Sequence, residues 1–265
     1  MAVFKSLSRV PDALSRNPVV FVPVAGYLLL QLPQFFAGSL SPGLQSGLSL
    51  VWSLLTVVLS PFYVGGLLSM ADEALDGDTG AGSFVDGGRD HYVQLLIGYV
   101  LLIAVNGVIG FLVAILVVVA FVVVLGSGGL GNASAATLAV LGVVALLVAL
   151  AYLALNFFIQ FYSQAIVIDG DDAIPAFKRS VRLVRGNLAA AFGFVLLRGA
   201  IGLLGAAPLV AVSFTQTPAL TGLVGLPRLS LPTLVAVAAV GLLLSTLAST
   251  VTATYGVSFY RAIRG

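Results

Sequence analysis

Arg198 is the only charged residue inside any of the long apolar runs of this chain. A guanidinium at bilayer depth is expensive and marks a functional site by default. It lies 11 residues past Asn187, roughly 16 Å along a helix at 1.5 Å per residue. No Asp or Glu stands in any apolar run to neutralise it, but neutral polar residues stand at similar depth: Asn156 and Gln160 in one run, Ser249 in another. Asn156, Gln160 and Gln164 recur at helical spacing, as do Ser245, Ser249 and Thr252, so each set shares one helix face. The expectation is an intramembrane polar layer of Arg198, Asn156, Gln160 and Ser249. Its leading chemistry is structural glue, one cation satisfied by amides, hydroxyls and carbonyls; the alternative is a cavity for an anionic or zwitterionic solute. Gly199, Gly202 and Gly205, beside Arg198, are expected to let a neighbouring helix approach closely.

A second concentration of chemistry is "DDAIPAFKRSVRLVRGN" (171–187), which holds Lys178, Arg179, Arg182 and Arg185 in a chain with twelve Lys and Arg in all. Wound as a helix, Lys178, Arg182 and Arg185 form one stripe with Arg179 at its edge, while Ile174, Phe177, Val181 and Val184 fall opposite. Asp171 and Asp172 sit where a helix N-terminus favours negative charge, Pro175 suits a first turn, and Gly186 ends the pattern. This is an interfacial amphipathic helix. Its basic face anchors topology and is a candidate anionic-lipid surface, worth about 1 kcal/mol per basic residue near the headgroups. The N-terminal segment repeats the plan: Lys5, Arg9 and Arg16 on one face, Phe4, Leu7 and Leu14 on the other.

The acidic residues Asp72, Glu73, Asp76, Asp78, Asp86 and Asp90 surround a "DGDTG" that lacks the later ligands of a calcium loop. They read as a solvated loop. His91 is the sole histidine, so no multi-His metal site exists within one chain; Ser83, Asp90 and His91 supply triad residue types without triad geometry. There is no cysteine, and no P-loop, dinucleotide fingerprint, zincin motif or nucleophile elbow. No catalytic residue, metal site or cofactor is assigned.

The elements that must position these groups are membrane spans. The 265 residues are 60% hydrophobic and 8% charged, against about 25% charged in soluble domains. The fold class expected is all-α: a polytopic six-helix transmembrane bundle, one integral membrane domain over 1–265. Charge-free runs place spans at 18–38, 46–70, 92–126, 134–168, 187–214 and 231–260. The third and fourth, at 35 residues, are about 52 Å long as straight helices against a core of about 30 Å, so they must tilt strongly, break or extend beyond the bilayer; Asn106-Gly107 and Gly110 are the break points the third offers, and 126–131 is a tight turn. Ten of the twelve basic residues fall on one side and Arg228 alone on the other, so both termini are expected to be cytoplasmic, in the plasma membrane. Phe-Tyr recurs at 62–63, 161–162 and 259–260. With amphipathic lead-ins at 4–18, 83–92 and 176–187, this predicts a three-fold repeat of helical hairpins over 1–78, 79–170 and 171–265. Two Lys, ten acidic residues and abundant Ala, Val and Gly suit a halophile.

The basic segment resembles the hallmark of a broad prokaryotic family of six-helix membrane proteins. These are stand-alone relatives of the membrane domain fused to some glycerophosphodiester phosphodiesterases. The places that match are Ala176, Lys178, Arg179, Ser180, Leu183, Arg185-Gly186-Asn187 and Phe192-Gly193; Val181 stands where that family often has Trp. The resemblance implies the fold, a lipid-related setting and, with the composition, a haloarchaeal source. The phosphodiesterase domain is absent, so its activity is not implied. The first functional expectation is a non-enzymatic integral membrane protein, an accessory or organising component contacting membrane lipids and further copies of itself or a membrane partner protein, with no role for nucleic acid. The second is a transporter of a small anionic, zwitterionic or lipid-like solute, which requires a water-accessible cavity reaching mid-membrane. The third is a membrane-embedded lipid-modifying enzyme built on 72–91.

Overall fold

A hydrocarbon solvent leaves each span to pair its own backbone groups, which selects helices. The computed structural model describes residues 2–36, 41–126, 128–129, 134–216 and 230–264, and among them every regular element is helical. The lead-in is α1 (Ala2–Ser8) and α2 (Val10–Arg16), followed by a 3₁₀ turn at Pro18–Val20 and α3 (Phe21–Phe36). Then come α4 (Pro42–Asp76), α5 (Ala81–Asp90), α6 (Tyr92–Gly126), α7 (Ala135–Ile159), α8 (Tyr162–Asp169), α9 (Ala173–Gly186), α10 (Leu188–Gln216) and α11 (Leu231–Ile263). Five of these, counting α7 and α8 as one, are long and apolar enough to cross a bilayer. The lead-in and α3 together meet the same criterion but bend by 97° where they join. Pro11 and Pro18 sit in the first turns on either side of that bend, where a missing N–H costs nothing.

Of the alternatives for the third span, a break is not the one taken. No break occurs at Asn106-Gly107 or Gly110: α6 runs unbroken for 35 residues. Asn106 Nδ2 donates to Leu102 O at 2.7 Å, satisfying the amide inside the helix instead of opening it. The break lies in the fourth span, at Gln160-Phe161 between α7 and α8. The turn expected at 126–131 is described only in part. There α6 ends in a Schellman motif, Gly129 N donating to Val124 O (2.9 Å) and Gly128 N to Leu125 O (3.0 Å). Both glycines have positive φ, 86° and 110°, as this cap demands. Residues 127, 130 and 131, and Arg228, lie outside the described residues.

The core sits at the end that carries both termini and the basic lead-ins. Val20, Met70, Phe161, Ala176, Phe194 and Phe259 are fully buried there. Each lead-in docks on a span that returns to this end. α1 docks on α11, with Ser6 Oγ donating to Ser258 O (3.4 Å) and Ser258 Oγ to Ser6 O (3.0 Å). α5 docks on α4 through facing glycines: a Cβ on Gly88 would lie 2.9 Å from Phe62 O, and one on Gly65 2.8 Å from Gly87 O. α9 docks on α7 and α8 through Ser180. Close docking selects small residues, and they form much of the docked side of α9 and α1. Ile174 and Phe4 are 58% and 75% exposed, while Ala173, Ala176, Ser180 and Val184, and Ser6 and Val10, are buried.

Away from this end the packing loosens. The most apolar 18-residue stretches of the α6 span and of the α7–α8 span contain no buried residue. Their Val, Leu and Phe side chains face outward, where lipid tails are as apolar as they are.

Candidate functional site

The polar face of α7 and α8 looks toward α10 and α11 across a gap. Between them lies a cavity of about 1090 Å³. Arg198, Asn156, Gln160 and Ser249, the four residues expected to form a layer, all line it, as do Gln164, Ser245 and Thr252. Arg198 is exposed to this space and has no hydrogen-bond or ion-pair partner among the described residues. The amides beside it are half spent: Asn156 Nδ2 donates to Tyr152 O and Gln160 Nε2 to Phe157 O, each at 2.9 Å. Their carbonyl oxygens remain free among the described residues. Gln164 is more than nine-tenths buried and accepts from Ser163 Oγ at 3.1 Å, leaving Nε2 uncommitted. Ser245 Oγ donates to Gly205 O at 3.0 Å. Thr252 Oγ1 is buried without a partner, which in a native fold calls for an explanation.

Glycine keeps the space open. Gly199 and Gly202 line the cavity with nothing within 4 Å of a Cβ placed on either, so they do not receive a helix as the sequence suggested. Gly205 does: a Cβ there would collide with that of Ala248 and lie 3.1 Å from Leu244 O. Toward the basic end the cavity stops on aromatic rings. A Cβ on Gly256 would sit 3.3 Å from Gln164 Nε2 and 3.9 Å from Phe194 Cζ. Phe194 stacks on Phe259 (centroids 4.5 Å apart), with Phe161 and Tyr255 at 5.3 and 4.9 Å from it.

The family model of DUF7847, a domain of unknown function, matches residues 1–263. The chain belongs to this family. No curated protein and no solved structure matches it. The matched stretch contains both the cavity and the basic segment, so the DUF7847 family is the frame for both.

In that basic segment the quartet divides. Lys178, Arg182 and Arg185 are exposed, with the Arg185 guanidinium 5.8 Å from the Phe158 ring centroid. Arg179 instead pairs with Asp171 (3.1 Å) and Asp169 (3.2 Å). These bonds hold its guanidinium above the usual arginine range, Asp171 contributing most. Its charge is therefore retained at every pH below strongly alkaline. Asp172 occupies the N-cap position of α9 without a side-chain bond; Gln94 on α6 caps instead, its Oε1 accepting from Ala173 N at 3.1 Å. Ser180 clips the break in the fourth span: its Oγ donates to Phe158 O (2.8 Å) and accepts from Phe161 N (3.0 Å).

The acidic segment is not a solvated loop throughout. Asp72 and Asp76 belong to α4 and bind Arg261 on α11, at 2.6 and 2.7 Å. Arg264 and Tyr260 both reach Asp169. Asn17 shapes the turn after α4, donating to Gly77 O (2.9 Å) and accepting from Thr79 N (2.8 Å). Ser83 Oγ donates to Glu73, so the residue types of a triad at 83–91 are not assembled as one. Among the described residues no group of three acidic, His or Cys side chains is placed to hold a metal. Gln94, Asn17 and the Arg261 pairs were missed from sequence because each bridges distant segments, with no local spacing to announce it.

Proposed function

We propose that this DUF7847 chain is a non-enzymatic membrane protein that takes an anionic or zwitterionic solute into the bilayer interior, in the manner of a carrier. The observation that carries this is Arg198, a cation without a partner among the described residues, lining a cavity of about 1090 Å³. Glue would leave Arg198 bonded to amides or hydroxyls; instead Asn156 and Gln160 bond their own helix backbone. That shifts the balance from an accessory role toward solute handling. Lys178, Arg182 and Arg185 would rest on anionic lipid headgroups, and the exposed α6 and α7 would face lipid or a membrane partner.

The proposal includes six spans, with the bent lead-in and α3 as the first, and both termini cytoplasmic in the plasma membrane. It includes a three-fold hairpin repeat. The docking pattern supports this, because α5 and α9 each pack on the span before them while α1 packs on the last, as a closed ring of three units would. Relationship to the phosphodiesterase membrane domains and a salt-adapted archaeal source rest on the basic segment and on composition. Mass spectrometry of molecules retained by the purified chain tests the function. Wild type should hold an anionic or zwitterionic species that Arg198→Leu loses while keeping its helical spectrum. Identical retained sets in two folded proteins would refute it.

A further inference from the structure

The chemistry of the cavity wall narrows the solute. Arg198 is the one formal charge among the residues that line it. In a low-dielectric site a second negative charge on the occupant would go uncompensated, so charge matching favours one. Arg198 brings five N–H donors, and Ser249 and Thr252 add hydroxyls with no partner among the described residues. An oxyanion can take two of those N–H groups as a bidentate pair and accept from hydroxyls as well. Beyond these and the amides of Asn156, Gln160 and Gln164, most of the wall is hydrocarbon, including Leu28, Leu102, Leu153, Val195, Leu209 and Val210. The volume of about 1090 Å³ exceeds the roughly 300–1,000 Å³ of pockets that enclose drug-sized ligands, far more than a bare anion fills. Leu153, Val195 and Val210 are themselves exposed, and α7 does not pack along α10 or α11, which hold the facing wall. The space is therefore open sideways, toward the region where acyl chains lie.

Resting on the carrier reading above, we propose that the occupant is a singly charged amphiphile. Its oxyanion head binds Arg198 with the hydroxyls of Ser249 and Thr252, and its apolar tail leaves between α7 and α10. The head is a carboxylate or a phosphodiester; the tail makes it a lipid and not a hydrophilic metabolite.

The test uses the full chain in a non-ionic detergent, with binding read by native mass spectrometry. Palmitate, hexadecanol and acetate are the probes, and phosphatidylglycerol is a second lipid. Wild type should bind one palmitate at least tenfold more tightly than either hexadecanol or acetate. Arg198→Gln should lose that preference, Arg198→Lys should keep part of it, and Gly202→Leu should exclude the tail. Gly202 has open space beyond its Cα, so this variant keeps the test alive if Arg198→Gln fails to fold. Preference for phosphatidylglycerol would assign the head to a phosphodiester, and preference for palmitate to a carboxylate. Hexadecanol binding as tightly as palmitate would overturn the charged head. Acetate matching palmitate would overturn the tail, yet leave the anion site intact. A retained solute indifferent to Arg198→Leu defeats the carrier reading itself.

Discussion

Replacing Ser180 by Ala should destabilise the chain far more than removing an ordinary polar contact between membrane helices. Ser180 is fully buried, and its hydroxyl supplies both partners at the break of the fourth span: an acceptor for Phe161 N at 3.0 Å and a donor to Phe158 O at 2.8 Å. The substitution removes two bonds, each worth roughly 0.5–1.5 kcal/mol net, and leaves a buried N–H unsatisfied at a further penalty of about 1–3 kcal/mol. Phe157 O, which an unbroken helix would offer to Phe161 N, already accepts from Gln160 Nε2. Allowing partial relaxation, the expected loss is about 2–4 kcal/mol. Ser258→Ala is the matched control. It removes a 3.0 Å bond to Ser6 O but orphans no backbone donor, and should cost nearer the ~0.6 kcal/mol average for polar contacts in membrane bundles. Unfolding in mixed micelles with rising dodecyl sulfate, followed by circular dichroism and by Trp52, the one tryptophan, measures both. A Ser180→Ala cost below about 1 kcal/mol, or equal to that of Ser258→Ala, would refute the assignment of Ser180 as the clip of the break.

Arg261→Gln should cost about 1–2 kcal/mol, since its pairs with Asp72 and Asp76 are only partly buried; the loss should shrink at molar salt in the same micelle titration. Gly205→Ala should lower the melting temperature, because its Cβ meets Ala248, whereas Gly199→Ala should not lower it, since helical Ala is favoured over Gly by roughly 0.5–1 kcal/mol. Replacing Lys178, Arg182 and Arg185 together by Gln should abolish any stabilisation by added phosphatidylglycerol, at about 1 kcal/mol per residue, and leave the detergent melting temperature near wild type. Arg179→Gln should lower that temperature without lipid present, since Asp171 loses its ion-pair partner and Asp169 keeps only Arg264 and Tyr260.

What the sequence made legible is what composition and local period control. The span at 92–126 coincides with α6, and the polar stripes on α7–α8 and on α11 line one cavity with Arg198. Helical phase alone fixes which residues share a face, and the cost of burying polar groups in lipid turns those faces inward. The outcome at Gly199 and Gly202 was not legible, because small residues serve equally to admit a helix or to leave room, and only the position of α11 decides. The break was sought at Asn106-Gly107, a pair of poor helix formers. It fell at Gln160-Phe161, where a hydroxyl from a segment twenty residues later offers the backbone an alternative partner. Amphipathicity places Ile174 and Phe4 on the apolar faces of interfacial helices, and both are exposed; that Ala173, Ala176, Ser180 and Ser6 form the docked side was not legible, because small residues carry little hydrophobic signal.

The cavity and the tight basic end belong to one energetic problem. The space of about 1090 Å³ opens sideways between α7 and α10, so in a bilayer its apolar flanks would meet lipid. Acyl chains can cover Leu153, Val195 and the open flanks of Gly199 and Gly202 with little loss, as lipid is as apolar as those side chains. They cannot satisfy Arg198 or Thr252 Oγ1, for which hydrocarbon is no partner. Water alone would solvate the guanidinium but not the apolar wall. An occupant with an oxyanion at one end and hydrocarbon at the other meets both demands. The packing of Phe161, Phe194 and Phe259, with the Arg261 pairs beyond, holds one end of the bundle and would leave the other free to take such an occupant.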